Sequence, residues 1–270
     1  DMADEQNSNK ISDDRMKSRV YLRAALPLLE IVTQEVDKFK NTIAGWNCVV
    51  QFQVIGDEEA AAHLVIKDGK LTCVQGRHSS PTVGLGFKSL EQMNIVFGGG
   101  MSGVPKIQGL LAHPILLMKV VGLLNSLKML MPAFEAKTRE EKLLKVKLLL
   151  NMVTVAIQEM CGSGDEFICR LVKGNKGKII QWHVPDGDVM AYIELDDTKV
   201  HAFKGKAEKR PYLLMKFRDL DAAYDVFSGK LDAVQATAQQ AMALRGPSEY
   251  GMRIGNLMKR VDNFMMGGES

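Results

Sequence analysis

The residues of this chain that could carry chemistry are few, and a run of glycines is the first to consider. Residues 98–103 read GGGMSG, which matches the G-x-G-x-x-G spacing of dinucleotide-binding loops. Such a loop follows a strand, opens a helix and is followed by an acid about 20 residues later. Here a helix-like segment precedes the glycines, and no acid occurs between Gly103 and Glu135. The run therefore indicates a turn rather than a nucleotide site.

The cysteines and histidines show no pattern of metal ligands. Cys48, Cys73, Cys161 and Cys169 form no C-x-x-C pair, and the five histidines form no H-E-x-x-H motif. We expect neither a metal nor a cofactor. Cys48 and Cys73 lie in apolar runs typical of strands, which predicts that both are buried free thiols.

Signatures of catalysis are also absent from the sequence. The chain has no G-x-S-x-G elbow and no Gly-rich loop that ends in Lys-Ser or Lys-Thr. We therefore expect a protein that is not an enzyme. An accessory domain acting on a hydrophobic substrate stays open as an alternative, and it would need a buried titratable pair with shifted pKa values. His183, Tyr192 and Glu194 are the candidates for that pair.

Composition excludes several classes of protein. The 270 residues are 46% hydrophobic and 25% charged, which is ordinary for a folded globular protein. The net charge of +3 is too small to favour nucleic acid as a partner. Residues 1–14 are acidic and lack an apolar stretch, which predicts a disordered tail rather than a signal peptide. We expect a cytoplasmic protein.

The most apolar stretch, residues 110–131, raises the question of a membrane. A spanning helix needs about 20 mainly apolar residues, and lysines near its centre are costly. This stretch contains Pro114, Lys119 and Lys128. It therefore predicts a buried or amphipathic helix of a soluble domain, and a helix that touches lipid is the alternative.

The two halves of the chain repeat one another. Residues 62–76 align with 191–205 at an offset of 129, and residues 81–99 align with 211–229 at an offset of 130. The second block keeps proline, phenylalanine, leucine and glycine in step. Such a constant offset predicts a duplicated domain. We expect a tail at 1–14, a first copy at 15–132 and a second copy at 133–270.

Periodicity predicts α+β domains with consecutive strands rather than a doubly wound sheet. In the first copy, we expect helices at 15–44, 89–98 and 114–130, with strands at 48–55, 61–67, 70–75, 82–88 and 104–109. In the second copy, we expect helices at 138–161, 219–228, 232–239 and 250–265, with strands at 166–173, 178–184, 188–195, 199–204, 211–217 and 241–246.

The second copy resembles the sterol carrier protein type 2 domain family. The resemblance rests on LMKFRDLDAAYDVFSGKLDAVQATAQQAMALRGPSEYGMRIGNL at 214–257 and on the meander AYIELDDTKVHAFKG. The first copy resembles the family through HLVIKDGKLTCVQG and FKSLEQMNIVFGGG. It has nine residues between Gly99 and Gly109, where the second copy has sixteen between Gly229 and Gly246. The first copy therefore lacks or shortens a helix, and its pocket is open, altered or lost.

The resemblance implies two similar sterol-carrier-like domains, each a twisted, mainly antiparallel sheet packed against helices around an apolar cavity. Sterols, fatty acids or acyl-CoA are the ligands that it implies. Flexible methionines suit such a cavity, and the terminal helices carry several, among them Met252 and Met258. For the second pocket we expect Phe217, Phe227, Leu244, Ile254, Leu257 and Val261. For the first we expect Phe87, Phe97, Ile107, Leu117, Val121 and Leu124.

These observations favour a non-catalytic protein that binds or transfers a lipid-like ligand between sheet and helices. A structural or protein-interaction module with filled cavities is the main alternative. The basic run KGKAEKR at 204–210 predicts an exposed hairpin that could make transient contact with a membrane surface. The sequence does not indicate an oligomeric state.

Overall fold

The computed structural model describes residues 13–109 and 113–266. The chain divides into two compact units, residues 1–128 and 129–270. Most of the predicted acidic tail lies outside the described residues, although Asp13 and Asp14 are helical.

The first unit has helices before and after a five-stranded sheet. Residues 13–25 are helical (α1), and their last turn, Tyr21–Ala25, is a π-helix. The other helices are α2 (Leu28–Glu35), α3 (Asp37–Ile43), α4 (Leu90–Phe97) and α5 (Pro114–Leu124), which a 3-10 turn (Asn125–Leu130) follows. The strands are β1 (Cys48–Val54), β2 (Ala61–Lys67), β3 (Lys70–Gln75), β4 (Val83–Phe87) and β5 (Lys106–Gln108), in the order β3-β2-β1-β4-β5.

The second unit has the same sheet order with longer helices. Its helices are α6 (Arg139–Gly162), α7 (Glu166–Val172), α8 (Leu220–Phe227), α9 (Ala233–Ala238) and α10 (Ser248–Met266). Its strands are β6 (Ile179–Val184), β7 (Val189–Asp196), β8 (Lys199–Lys204), β9 (Leu213–Phe217) and β10 (Met242–Arg245), in the order β10-β9-β6-β7-β8. In each sheet one central pair, β1 with β4 or β6 with β9, is parallel and the other pairs are antiparallel. The predicted fold class is confirmed.

Matching polar contacts accompany the matching sheets. Gln51 is buried, and its Oε1 accepts a hydrogen bond from the backbone N–H of His78 at 2.6 Å. Gln181, which is also buried, accepts one through Oε1 from the N–H of Ala207 at 2.8 Å. A buried backbone N–H is costly without a partner, so each glutamine fixes the chain beyond its meander.

One strand prediction is wrong. Residues 166–173 were expected to form a strand, but Glu166–Val172 is helix α7. Asp165 begins the helix by accepting a hydrogen bond from Ile168 N, and Ile168, Leu171 and Val172 turn inward. The spacing of three and four residues between these inward positions is that of a helix. A segment of seven residues is too short for this period to be distinguished from that of a strand.

The glycine run at 98–103 follows helix α4 and does not begin another helix, in agreement with the predicted turn. Residues 98–105, all of them described, contain no helix, whereas α9 occupies the matching place in the second unit. Within 13–109 and 113–266, no helix has the length and apolar character needed to cross a membrane.

Candidate ligand-binding groove

A groove of about 390 Å³ lies among the helices of the second unit, and we call it the helix groove. Helices α6, α8, α9 and α10 and the turn between α8 and α9 form its walls. Its lining residues are Leu149, Val153, Val226, Phe227, Gly229, Leu231, Asp232, Ala233, Val234, Gln235, Met252, Gly255, Asn256, Met258, Lys259, Asp262 and Asn263.

Helix caps hold two of the walls in place. Asp219 begins α8 by accepting a hydrogen bond from Ala222 N at 2.8 Å. Asp232 begins α9 in the same way, accepting from Gln235 N at 2.8 Å, and Gln235 Oε1 accepts from Asp232 N in return. These caps satisfy backbone donors at the helix starts that would otherwise lack partners.

A glycine lets α10 approach α9 closely. A Cβ at Gly255 would lie 2.5 Å from the Cβ of Ala233, closer than two carbon atoms can pack. The small residues at this contact therefore set the spacing of two walls of the helix groove.

The lining has an apolar part and a polar part. Most of its half-buried side chains, such as Val153, Val226 and Phe227, are apolar, and Asn263 is a polar exception. Asp232, Lys259 and other polar lining residues are exposed to solvent. Such a groove can take the chain of an amphipathic molecule while the polar end of that molecule stays near water.

Of the six residues predicted for the second pocket, Phe227 lines the helix groove. Phe217, Ile254, Leu257 and Val261 are at most 2% exposed and do not line it. Phe217 and Phe227 are in ring contact, with centroids 5.5 Å apart. Phe227 therefore connects the buried core to the groove.

Leu244, the remaining member of that set, is half-buried on β10. Its side chain packs at Gly251 of α10, where a Cβ would lie 2.5 Å from Leu244 Cδ1. Among the described residues, none from a strand lines the helix groove, so the groove differs in place from the expected cavity between sheet and helices.

The residues predicted for the first pocket gather in the core of the first unit. Phe87 is buried within it, and Phe97 contacts both Phe52 and Phe87 with ring centroids about 6 Å apart. Ile107, Leu117 and Leu124 also pack against that core. Val121 does not join them and is 45% exposed.

A second concavity, of about 360 Å³, lies in the first unit and is polar. Arg15, Arg19 and Arg23 of the first helical segment line it opposite Glu58 and Glu59. Arg15 is paired with Asp57, at 2.9 Å, and with Glu59, at 3.7 Å. The walls are mainly charged and polar, unlike those of an apolar ligand site.

The residues considered for chemistry have other partners. His183 Nε2 lies 3.2 Å from the Asp188 carboxylate, and Tyr192 stacks on Phe203 with ring centroids 4.8 Å apart. Glu194 lies opposite Ile179 and His201 in the sheet. None of these three candidates lines the helix groove.

Sequence reasoning missed most of the groove. Leu149 and Val153 come from α6, and Leu231 and Val234 flank the start of α9, far from α6 in sequence. The available signal was the methionines of the last helix, because Met252 and Met258 both line the helix groove.

Comparisons with protein-family models and with curated proteins give no match. Twenty-one chains of solved structures match. Sterol carrier protein 2 from Yarrowia lipolytica is 14% identical over 42% of this chain and 91% of its own, with a TM-score of 0.34. Palmitated SCP2L2 from Aedes aegypti is 14% identical over 39% of this chain and 90% of its own, with a TM-score of 0.29.

A sulfatase also matches. The inverting sec-alkylsulfatase Pisa1 from Pseudomonas sp. is 12% identical over 56% of this chain and 28% of its own, with a TM-score of 0.29. At these identities and TM-scores, the similarities are partial. The geometry of the helix groove therefore carries the functional argument.

Proposed function

We propose that this protein binds an amphipathic, lipid-like molecule non-catalytically, with the apolar chain of the ligand in the helix groove of the second unit. The observation that carries the proposal is the groove itself, which combines a half-buried apolar lining with exposed polar residues. Its volume of about 390 Å³ falls within the range of roughly 300–1,000 Å³ for small-molecule sites. A fatty acid is the simplest ligand of this chemistry.

Two methionines support binding of variable chains. Met252 is 52% exposed and Met258 is half-buried, and both line the helix groove. An unbranched thioether side chain adapts to ligands of different shape at little cost. Removal of the ligand's apolar surface from water provides the affinity, at roughly 25 cal/mol per Å².

The proposal includes a duplication, with domains near 15–132 and 133–270. The equal strand orders and the equivalent roles of Gln51 and Gln181 support it. A hydrogen bond from the outer strand to a helix, present in each unit, also supports it. Glu30 Oε1 accepts from Cys73 N at 2.8 Å, and Gln158 Oε1 accepts from Ala202 N at 2.9 Å.

A different function is proposed for the first unit. Five of the six residues expected to line its pocket pack in or against its core. That packing favours the structural or interaction role, with ligand binding confined to the second unit.

Titration with cis-parinaric acid, a fluorescent fatty acid, tests the proposal on the whole chain. Val234 and Met252 are 62% and 52% exposed, so V234D/M252D places two charges in the groove without disturbing the core. We expect this variant to bind about tenfold more weakly than the wild type, or weaker still, because an apolar chain would have to desolvate both carboxylates. Phe167 is 40% exposed on α7 outside the groove, so F167D, which adds one aspartate, is the control for a surface charge and should bind normally. Equal binding by all three proteins would refute the proposed site.

A further inference from the structure

Helix α5 of the first unit presents an apolar face to solvent. Ile115 is 69% exposed, Met118 is 75% exposed and Val121 is 45% exposed. With 3.6 residues per turn, these positions share one side of the helix, and the inward side contains the buried Val120 and Leu123. We call Ile115, Met118 and Val121 the α5 face.

The position of α5 in the fold does not require an apolar outer face. Helix α10 follows the last strand of the second unit, as α5 follows the last strand of the first. Its exposed side chains include the charged Arg253, Lys259 and Asp262. Two helices in matching places thus differ in the chemistry they show to solvent.

The segment of sequence that contains the α5 face carries basic residues and no acidic ones. Residues 92–134 contain no aspartate and no glutamate. The same segment contains Lys106, Lys119 and Lys128, all of them exposed. Lysines beside exposed apolar side chains are typical of helices that lie in the interface of an anionic membrane.

A second copy of the chain fits the α5 face less well. A two-fold contact through this face would bring together two copies of the same acid-free segment, which carries lysines and no carboxylate. Like charges at such a contact repel, whereas anionic lipid headgroups attract the lysines. Met101 and Val104 of the same acid-free segment are also apolar and exposed, at 99% and 78%.

We propose that the first unit docks on the surface of an anionic lipid bilayer through the α5 face. The helix lies along the interface, with Ile115 and Met118 between the headgroups and the lysines beside the phosphates. This docking does not depend on the helix groove, which belongs to the other unit.

Flotation of the whole chain with vesicles tests this docking. Vesicles of phosphatidylcholine alone are compared with vesicles of equimolar phosphatidylcholine and phosphatidylserine. We expect binding to the anionic vesicles, with a contribution of about fivefold in affinity from each lysine near the surface. The binding should weaken in 1 M salt, where charges are screened within about 3 Å.

The variant I115E/M118E replaces two exposed side chains, so it should fold normally and lose vesicle binding. V74E introduces one glutamate at a 38% exposed position of β3, outside the α5 face, and should bind as the wild type does. V234D/M252D should also bind vesicles, which separates this proposal from the function of the groove. Failure of the wild type to float with anionic vesicles, or equal flotation of I115E/M118E, would overturn the proposal. A dimer that I115E/M118E dissociates, without vesicle binding, would instead assign the face to a second copy.

Discussion

The same substitution should have opposite effects on stability at two helical glycines. Gly255 lies inside α10, where a Cβ would meet Ala233 at 2.5 Å. Gly122 lies inside α5, where a Cβ would meet nothing within 4 Å. Gly122→Ala and Gly255→Ala therefore differ mainly in the contact that the new methyl group makes.

The expected magnitudes follow from that contact. Replacing glycine by alanine inside a helix stabilises it by about 0.5–1 kcal/mol, because the unfolded chain loses freedom. Overpacking costs about 1–3 kcal/mol. We therefore expect G122A to raise the free energy of unfolding by up to about 1 kcal/mol. We expect G255A to lower it by about 1–2 kcal/mol, because α9 must shift away from α10.

The two tryptophans allow each unit to be followed separately. Trp46 is buried in the first unit and Trp182 in the second. Urea unfolding of G122A is followed through Trp46 in a W182F background, and G255A is followed through Trp182 in a W46F background. Each is compared with its own background protein. Stabilisation by G255A equal to that by G122A would refute the close approach of α9 and α10.

Further predictions concern the paired glutamines, a helix cap and the buried thiols. Gln51→Leu and Gln181→Leu should each lower the free energy of unfolding by about 1–3 kcal/mol, because each leaves a backbone N–H without its partner, and an effect in one unit alone would contradict their equivalence. Asp219→Ala should cost about 1 kcal/mol through loss of the α8 cap, while Asp219→Asn keeps the cap. Hydrogen bonds from Arg218 and from Ala222 N lower the pKa of Asp219 below its ordinary value of 3.8. The stability that the Asp219 carboxylate contributes is therefore present above that pH and is lost as the pH falls through the lower pKa of the folded state. Urea unfolding of the wild type and of D219N across this pH range measures the loss. Desolvation raises the pKa of the half-buried Cys73 to about 12 and also raises the pKa of the buried Cys161. Both thiols should therefore react with Ellman's reagent at about pH 8 far more slowly in the native chain than in urea, and equal rates would contradict this protection.

The sheets could be predicted from the sequence because their pattern is local. Alternation in β7 and the turn before β3 follow from neighbouring residues, and the offset between the halves matches β4 with β9. The sequence predicts a strand in place of helix α7 because seven residues with five apolar positions fit either period.

The groove could not be predicted in the same way because several distant elements form it. The contact between Gly255 and Ala233 sets the spacing of two walls, and nothing in either local sequence indicates the other. The set predicted from apolar spacing contains Ile254, Leu257 and Val261, which share the inward side of α10. Helical periodicity identifies a buried face, but it does not show where packing leaves space.

Native mass spectrometry of the whole chain with palmitate is the most direct test of whether the second unit holds a lipid-like ligand. We expect one palmitate per chain, lost in V234D/M252D and retained in F167D. Absence of any palmitate adduct, or an equal adduct on V234D/M252D, would show that the helix groove does not hold such a ligand.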